Sequence, residues 1–268
     1  MWTISDLIAN FFTHKDYLPS ADKLPGTLFT PMHFVFALLL TAVVIFACIR
    51  CRRVGDRKLK AIFAVLWAFL VVFEITKIVW ESVSGKVISF EWGGILPLYP
   101  CSIFMYAMPF AIWGKGIVRK AACGYVCTLG LLGGLINFVY PANILNNYSC
   151  LSFAGFHTLI YHGTLVFCAF AMLISGYHTY KEAKNFGDLI IPAIPCLIMS
   201  IPANIVNFSP INADYMFFKL QSFFFAPIGA ALPTIVCVLI VYILYMLIHA
   251  IPYIPFYIKN RKRMKVNV

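Results

Sequence analysis

The sequence predicts an all-α, polytopic integral membrane bundle of seven transmembrane helices, with the N-terminus outside and the C-terminus cytoplasmic. Three observations predict it. Hydrophobic residues make up 62% of the 268-residue chain and charged residues only 12%, where a soluble domain carries roughly 45–50% and about 25%. Seven apolar stretches approach the ~20 residues a helix needs to cross hydrocarbon. The 21 Lys and Arg residues gather in alternate connections between those stretches. The formal charge of +11 therefore reports topology, and no nucleic-acid partner is expected.

Residues 1–30 read as an extracytoplasmic leader, in which Trp2, Leu7, Ile8, Phe11 and Phe12 mark a candidate interfacial helix. The membrane domain runs from 31 to 249, and a basic cytoplasmic tail from 250 to 268. Its stretches are about Pro31–Ile49, Ala61–Trp80, Leu96–Trp113, Ala121–Tyr140, Phe156–Gly176, Leu189–Phe208 and Ile228–His249. They lack the alternation of a membrane barrel strand. The first follows a polar leader and precedes Arg-rich sequence, so it reads as a retained helix rather than a signal peptide. The third opens with Pro97 and Pro100, which predicts an irregular start. The sixth carries Pro192, Pro195 and Pro202, so a kinked or broken span, and a count of six, is the alternative. With Arg50–Lys60 placed inside, sixteen basic residues fall on the cytoplasmic side. Only Lys15, Lys23, Lys86 and Lys219 fall outside, and Lys77 lies within the second span. That asymmetry favours seven.

Ionisable residues inside a membrane are expensive and so point to function. Glu74, Lys77 and Glu81 share one helical face at i, i+3 and i+7, with Lys77 able to reach either carboxylate. An ion pair that merely permits insertion is the plainer explanation. His157 and His162 open the fifth span five residues apart, about 140° around a helix, so they do not share a face. His33 opens the first span, and Cys101 the third. Cys48-x-x-Cys51 has no companion pair, so no metal site is expected. Cys150, in an outer loop, either leaves Cys101 free or pairs with it as a disulfide. His33, Glu74, Lys77, Glu81, Cys101, Asn137, His162, Asn204 and Asn207 all fall in the outer half of the predicted bundle, which suggests one site there.

Four segments carry a family resemblance. They are Phe-Thr-Pro-Met-His33, Leu-Pro-Leu-Tyr99-Pro-Cys101-Ser, Tyr-His162-Gly163 and Asn212-Ala-Asp-Tyr215-Met-Phe, spread over about residues 29–245. The chain resembles the YwaF-type integral membrane proteins of bacteria, related to the eukaryotic transmembrane protein 164 family. At the third span the family pattern is similar to Leu-Pro-Leu-His-Leu-Cys, and Tyr99-Pro100 stands here in place of His-Leu. The resemblance implies a multi-pass plasma-membrane protein of bacterial type and lipid acyl-transfer activity centred on Cys101. In that chemistry Cys101 attacks a phospholipid or lysophospholipid ester, and His162 or His33 moves the proton. Glu74, Lys77, Tyr99, His157, Asn137, Asn204 and Tyr215 form the expected substrate-binding set. Membrane lipids are the expected partners, no cofactor is implied, and the oligomeric state stays open. Two rivals remain: a transporter or channel built on Glu74 and Lys77, and a non-catalytic receptor or assembly subunit.

Overall fold

The computed structural model describes residues 3–88, 90, 95–221 and 225–266. Trp2 of the expected leader helix lies outside them. The described residues contain helices and no strand. The chain divides into two compact units, residues 1–91 with 131–174 and residues 92–130 with 175–268.

The first unit holds α1 (Ile4–Ala9), α2 (Pro31–Cys51), α3 (Asp56–Ser84), α6 (Leu131–Val139), α7 (Ala142–Leu145) and α8 (Phe153–Ile174). α1 is short and closed by a reciprocal box in which Thr3 Oγ1 accepts from the Asp6 amide and the Asp6 carboxylate accepts from the Thr3 amide. α2 begins where the Thr30 hydroxyl accepts the His33 N–H, followed by Pro31, whose missing amide costs nothing in a first turn. α2 and α3 bury one narrow stripe each and expose Leu38, Val43, Phe46, Val65, Phe69 and Val72. Such faces are stable only against lipid or another apolar surface. α8 is the buried centre of this unit, packed by α2, α3 and α6. Close approach depends on its glycines. A methyl group at Gly155 would lie 2.0 Å from the Ser149 carbonyl oxygen, whereas one at Gly163 would meet side chains alone, Leu40 at 3.1 Å and Phe138 at 3.4 Å.

The second unit holds α4 (Ile103–Trp113), α5 (Gly116–Tyr125), a π-helical turn (Val126–Gly130), α9 (Gly187–Ile190), α10 (Ile194–Asn207), α11 (Ala226–Ala231), α12 (Thr234–Ala250) and α13 (Ile254–Val266). The whole π turn is buried. Its Thr128 hydroxyl donates to the Gly124 carbonyl at 2.7 Å and faces His249 Nδ1 at 2.5 Å. α12 buries Cys237, Val238, Val241, Tyr245 and His249 along one side and exposes Ile235, Leu239, Ile243 and Leu247 on the other.

Among the described residues, five helices are long and apolar enough to cross a bilayer: Pro31–Cys51, Asp56–Ser84, Gly116–Leu145, Phe153–Ile174 and Gly187–Asn207. Two predicted stretches differ. Residues 96–113 yield an 11-residue helix, because Leu96–Ser102, with its two prolines, is spent in turns. Residues 228–249 divide at Pro233, which leaves a 17-residue α12 that joins α13 through a 59° bend. The sixth stretch does not break. Pro192 sits in a 3-10 turn and Pro195 in the first turn of α10, where prolines are tolerated.

Candidate functional site

In the first unit, α3 and α8 bring together most of the titratable side chains expected in the membrane. Glu74 faces α8, 8% exposed. An isolated carboxylate there would be unstable, and His157 answers it: Nε2 lies 3.1 Å from Glu74 Oε2. Lys77 pairs with Glu81 at 3.2 Å, one turn along α3. The His157 ring packs on Phe73, at 4.4 Å between centroids, and is stacked with Tyr161 at 5.7 Å. Tyr161 then meets His162 edge-on at 5.4 Å. The two histidines thus face differently, as their spacing predicts, with Tyr161 between them.

The tautomers of His162 and His33 follow from their partners. His162 Nδ1 lies 2.7 Å from the Thr158 carbonyl oxygen and 3.2 Å from its hydroxyl. A carbonyl only accepts, so Nδ1 carries the hydrogen and the neutral ring keeps its lone pair on Nε2. That Nε2 is buried with no hydrogen-bond partner among the described residues. His33 is the reverse. The Phe29 amide donates to its Nδ1 at 3.2 Å, so the neutral ring carries its hydrogen on Nε2. This Nε2 also lacks a partner among the described residues. Phe29 adopts a left-handed φ of 62° to aim that amide, a strained conformation for a side chain of its size. His162 is therefore poised as an acceptor and His33 as a donor. Asn137 spends its amide on the Gly133 carbonyl of its own helix at 3.0 Å.

The leader covers this cluster. The Phe153 amide donates to the Phe11 carbonyl at 2.8 Å, and the Trp80 indole to the Phe12 carbonyl at 2.9 Å. The Lys15 amide donates to the Tyr148 hydroxyl at 3.2 Å, and the Lys86 amide to Asp16 Oδ2 at 3.0 Å. That last bond holds the Asp16 carboxyl below its usual range. Phe11 packs edge-on against Phe153 and Phe156, and Phe153 in turn neighbours His157. One aromatic layer thus separates the leader from the Glu74–His157 pair. None of these covering residues except Phe11 and Phe12 stands out in the sequence.

In the second unit, the Cys101 and Tyr215 motifs meet although more than a hundred residues separate them. Cys101 is partly exposed, in the turn before α4. The Ser102 amide donates to the Tyr99 carbonyl at 2.9 Å, and the Tyr125 hydroxyl to the Pro100 carbonyl. The thiol is therefore carried by a fixed turn. Tyr99 packs on Tyr215 at 5.1 Å and Phe217 at 5.6 Å, and the Leu96 amide donates to the Tyr215 hydroxyl at 2.9 Å. Asn207 clamps the Tyr215 backbone through both amide atoms, at 2.7 and 2.9 Å. Asp214 accepts the Lys219 and Gln221 amides, and the buried Lys219 ammonium donates to Asn212 and the Asn207 carbonyl. These bonds sustain four non-glycine residues at left-handed φ: Asn212, Met216, Phe217 and Leu220. Asn204 donates to Tyr242 at 3.1 Å, while its carbonyl oxygen is buried without a hydrogen-bond partner among the described residues.

His33, Glu74, Lys77, Asn137, His157 and His162 thus belong to the first unit, and Tyr99, Cys101, Asn204 and Tyr215 to the second. Cys150 is a buried free thiol beside Leu145 and Leu159, not half of a disulfide. Among the described residues no three His, Cys, Asp or Glu side chains are grouped to hold a metal ion.

A family model described as the TMEM164 family matches residues 28–259. No curated protein and no solved structure matches the chain.

Proposed function

The chain belongs to the TMEM164 family of multi-pass membrane proteins, and from that premise we propose that it is a phospholipid acyltransferase or transacylase working in the outer leaflet. The observation that carries the reading is His162, whose Nδ1 is occupied by a carbonyl and whose bare, buried Nε2 is an acceptor ready for a proton. Nε2 takes the Cys101 thiol proton as sulfur attacks the acyl carbonyl. The S–C bond forms, the ester C–O bond breaks, and the proton passes to the departing glycerol oxygen. In the second half, Nε2 takes the proton of an acceptor hydroxyl, which attacks the thioester, and returns it to sulfur. His33, with hydrogen on Nε2, serves as a donor to the carbonyl oxygen as it gains charge. Glu74 orients His157, and Tyr99, Asn137, Asn204 and Tyr215 line the lipid path. On this reading it is a YwaF-type plasma-membrane protein with seven crossings and its N-terminus outside. Residues 96–113 complete their crossing with a turn shielded by protein, in which Leu98, Pro100 and Ser102 are buried.

The test is acyl exchange by the purified protein in lipid. Cys101→Ser and His162→Ala each abolish turnover on this reading, and unchanged turnover in both removes it. The buried Glu74–His157 pair favours a second reading, a proton-coupled transporter. Solute flux into proteoliposomes that vanishes in Glu74→Gln, without acyl exchange in the parent, selects that instead.

A further inference from the structure

We propose that α13 and the turn before α9 form a platform that docks on the anionic phospholipid surface of the bilayer. α13 leaves α12 through a 59° bend at Pro252 and Pro255. Lys259, Arg261, Lys262 and Arg263 are all exposed along it, which makes it costly to bury in hydrocarbon. A basic helix turned away from the apolar α12 in this way suits the plane of the membrane surface.

Its orientation about its own axis is fixed. Tyr253, Ile254 and Tyr257 pack with Tyr180, Ala183 and Leu189. Asn260 then donates to the Lys181 carbonyl at 3.0 Å and the Ala183 carbonyl at 2.8 Å. With Tyr253, Tyr257 and Asn260 facing inward, the 100° helical step turns Ile258, Lys259 and Lys262 to the opposite face. Arg261 flanks it, with a guanidinium nitrogen 3.2 Å from the Tyr257 hydroxyl. The clamp also sets the exposed Lys181 and Lys184 beside the helix.

Two features identify lipid as the occupant. The first is charge: Asp188 is engaged by Lys120 and by the Lys184 and Asn185 amides, which leaves Glu182 as the exposed acid of this turn. The second is the pair of bulky apolar side chains standing out among the cations, Phe186 at 66% and Ile258 at 48% exposure. Cations with protruding apolar residues are the signature of a surface that sits among headgroups.

Hydrogen exchange of the full-length protein in nanodiscs tests this. Amides of residues 256–264 are compared in phosphatidylcholine and in phosphatidylcholine mixed with phosphatidylserine. Exchange slows by about tenfold in the anionic lipid, as expected for several cations at a charged surface. Salt erodes the protection. It disappears in the quadruple variant K259Q/R261Q/K262Q/R263Q, while α8 exchange, the check on folding, is unchanged. Equal exchange in the two lipids overturns the proposal, as does protection that survives the quadruple substitution. Protection produced by inorganic phosphate over neutral lipid overturns it too, by assigning the site to a soluble anion.

Discussion

Thr158 and His162 lie one helical turn apart, and the carbonyl of the first decides what the second can do. Because the backbone oxygen takes Nδ1–H, removing the Thr158 hydroxyl forfeits only the 3.2 Å contact. Thr158→Ala is therefore expected to cost less than about tenfold in turnover, since one neutral hydrogen bond is worth about 1 kcal/mol. Nitrogen NMR of labelled His162 should report hydrogen on Nδ1, and the opposite tautomer would remove it as the base. Glu74 behaves differently. Glu74→Ala leaves the His157 ring without its partner in a dry interior and should destabilise the protein by about 3 kcal/mol. Glu74→Gln retains an acceptor and should cost less, a difference that thermal unfolding in detergent reads directly. The candidate residues were legible from sequence as unusual polar groups in apolar stretches. Their pairings were not: Lys77 takes Glu81 while His157 takes Glu74, and nothing in the spacing along α3 alone selects between them.

At the scale of elements, the long apolar helices were legible because composition and length are enough to specify them. α4 and α12 fell short of their predicted stretches for a local reason, since prolines at 97, 100 and 233 remove amides that a helix would need. The meeting of Tyr99 with Tyr215 was not legible at all, because a contact across more than a hundred residues leaves no periodic trace. Two glycines on α8 separate steric cost from mere crowding. Gly155→Ala would drive a methyl group into a fixed backbone oxygen and should cost about 3 kcal/mol or more, whereas Gly163→Ala meets a flexible leucine end and should cost about 1 kcal/mol. The seat of α13 should respond to pH. His178 Nε2 lies 2.7 Å from the Tyr253 hydroxyl, and burial, with Lys120 and Arg119 nearby, pushes its pKa down to about 4. Between pH 6.5 and 4 the unfolded segment binds a proton that the folded one refuses, so stability is full above 6.5 and falls with acid. The loss approaches about 3 kcal/mol at pH 4. Hydrogen exchange over residues 250–260 should rise across that interval, and His178→Gln should flatten the response.

For the whole molecule, the proposed orientation rests on where the basic residues fall, and it can be tested directly. An impermeant amine reagent applied to intact cells should modify Lys15, Lys23 and Lys86 and spare Lys259 and Lys262. The reverse pattern would invert the topology and with it the leaflet from which lipid is drawn. Lys219 is buried, so it is expected to stay unmodified in either case. The proposed chemistry passes through an acyl-enzyme on Cys101. Intact mass spectrometry of the protein incubated with phospholipid should show one added acyl chain on Cys101 that hydroxylamine removes and Cys101→Ser never acquires. Acyl exchange that proceeds without any such adduct, and at the parent rate in Cys101→Ser, would contradict it.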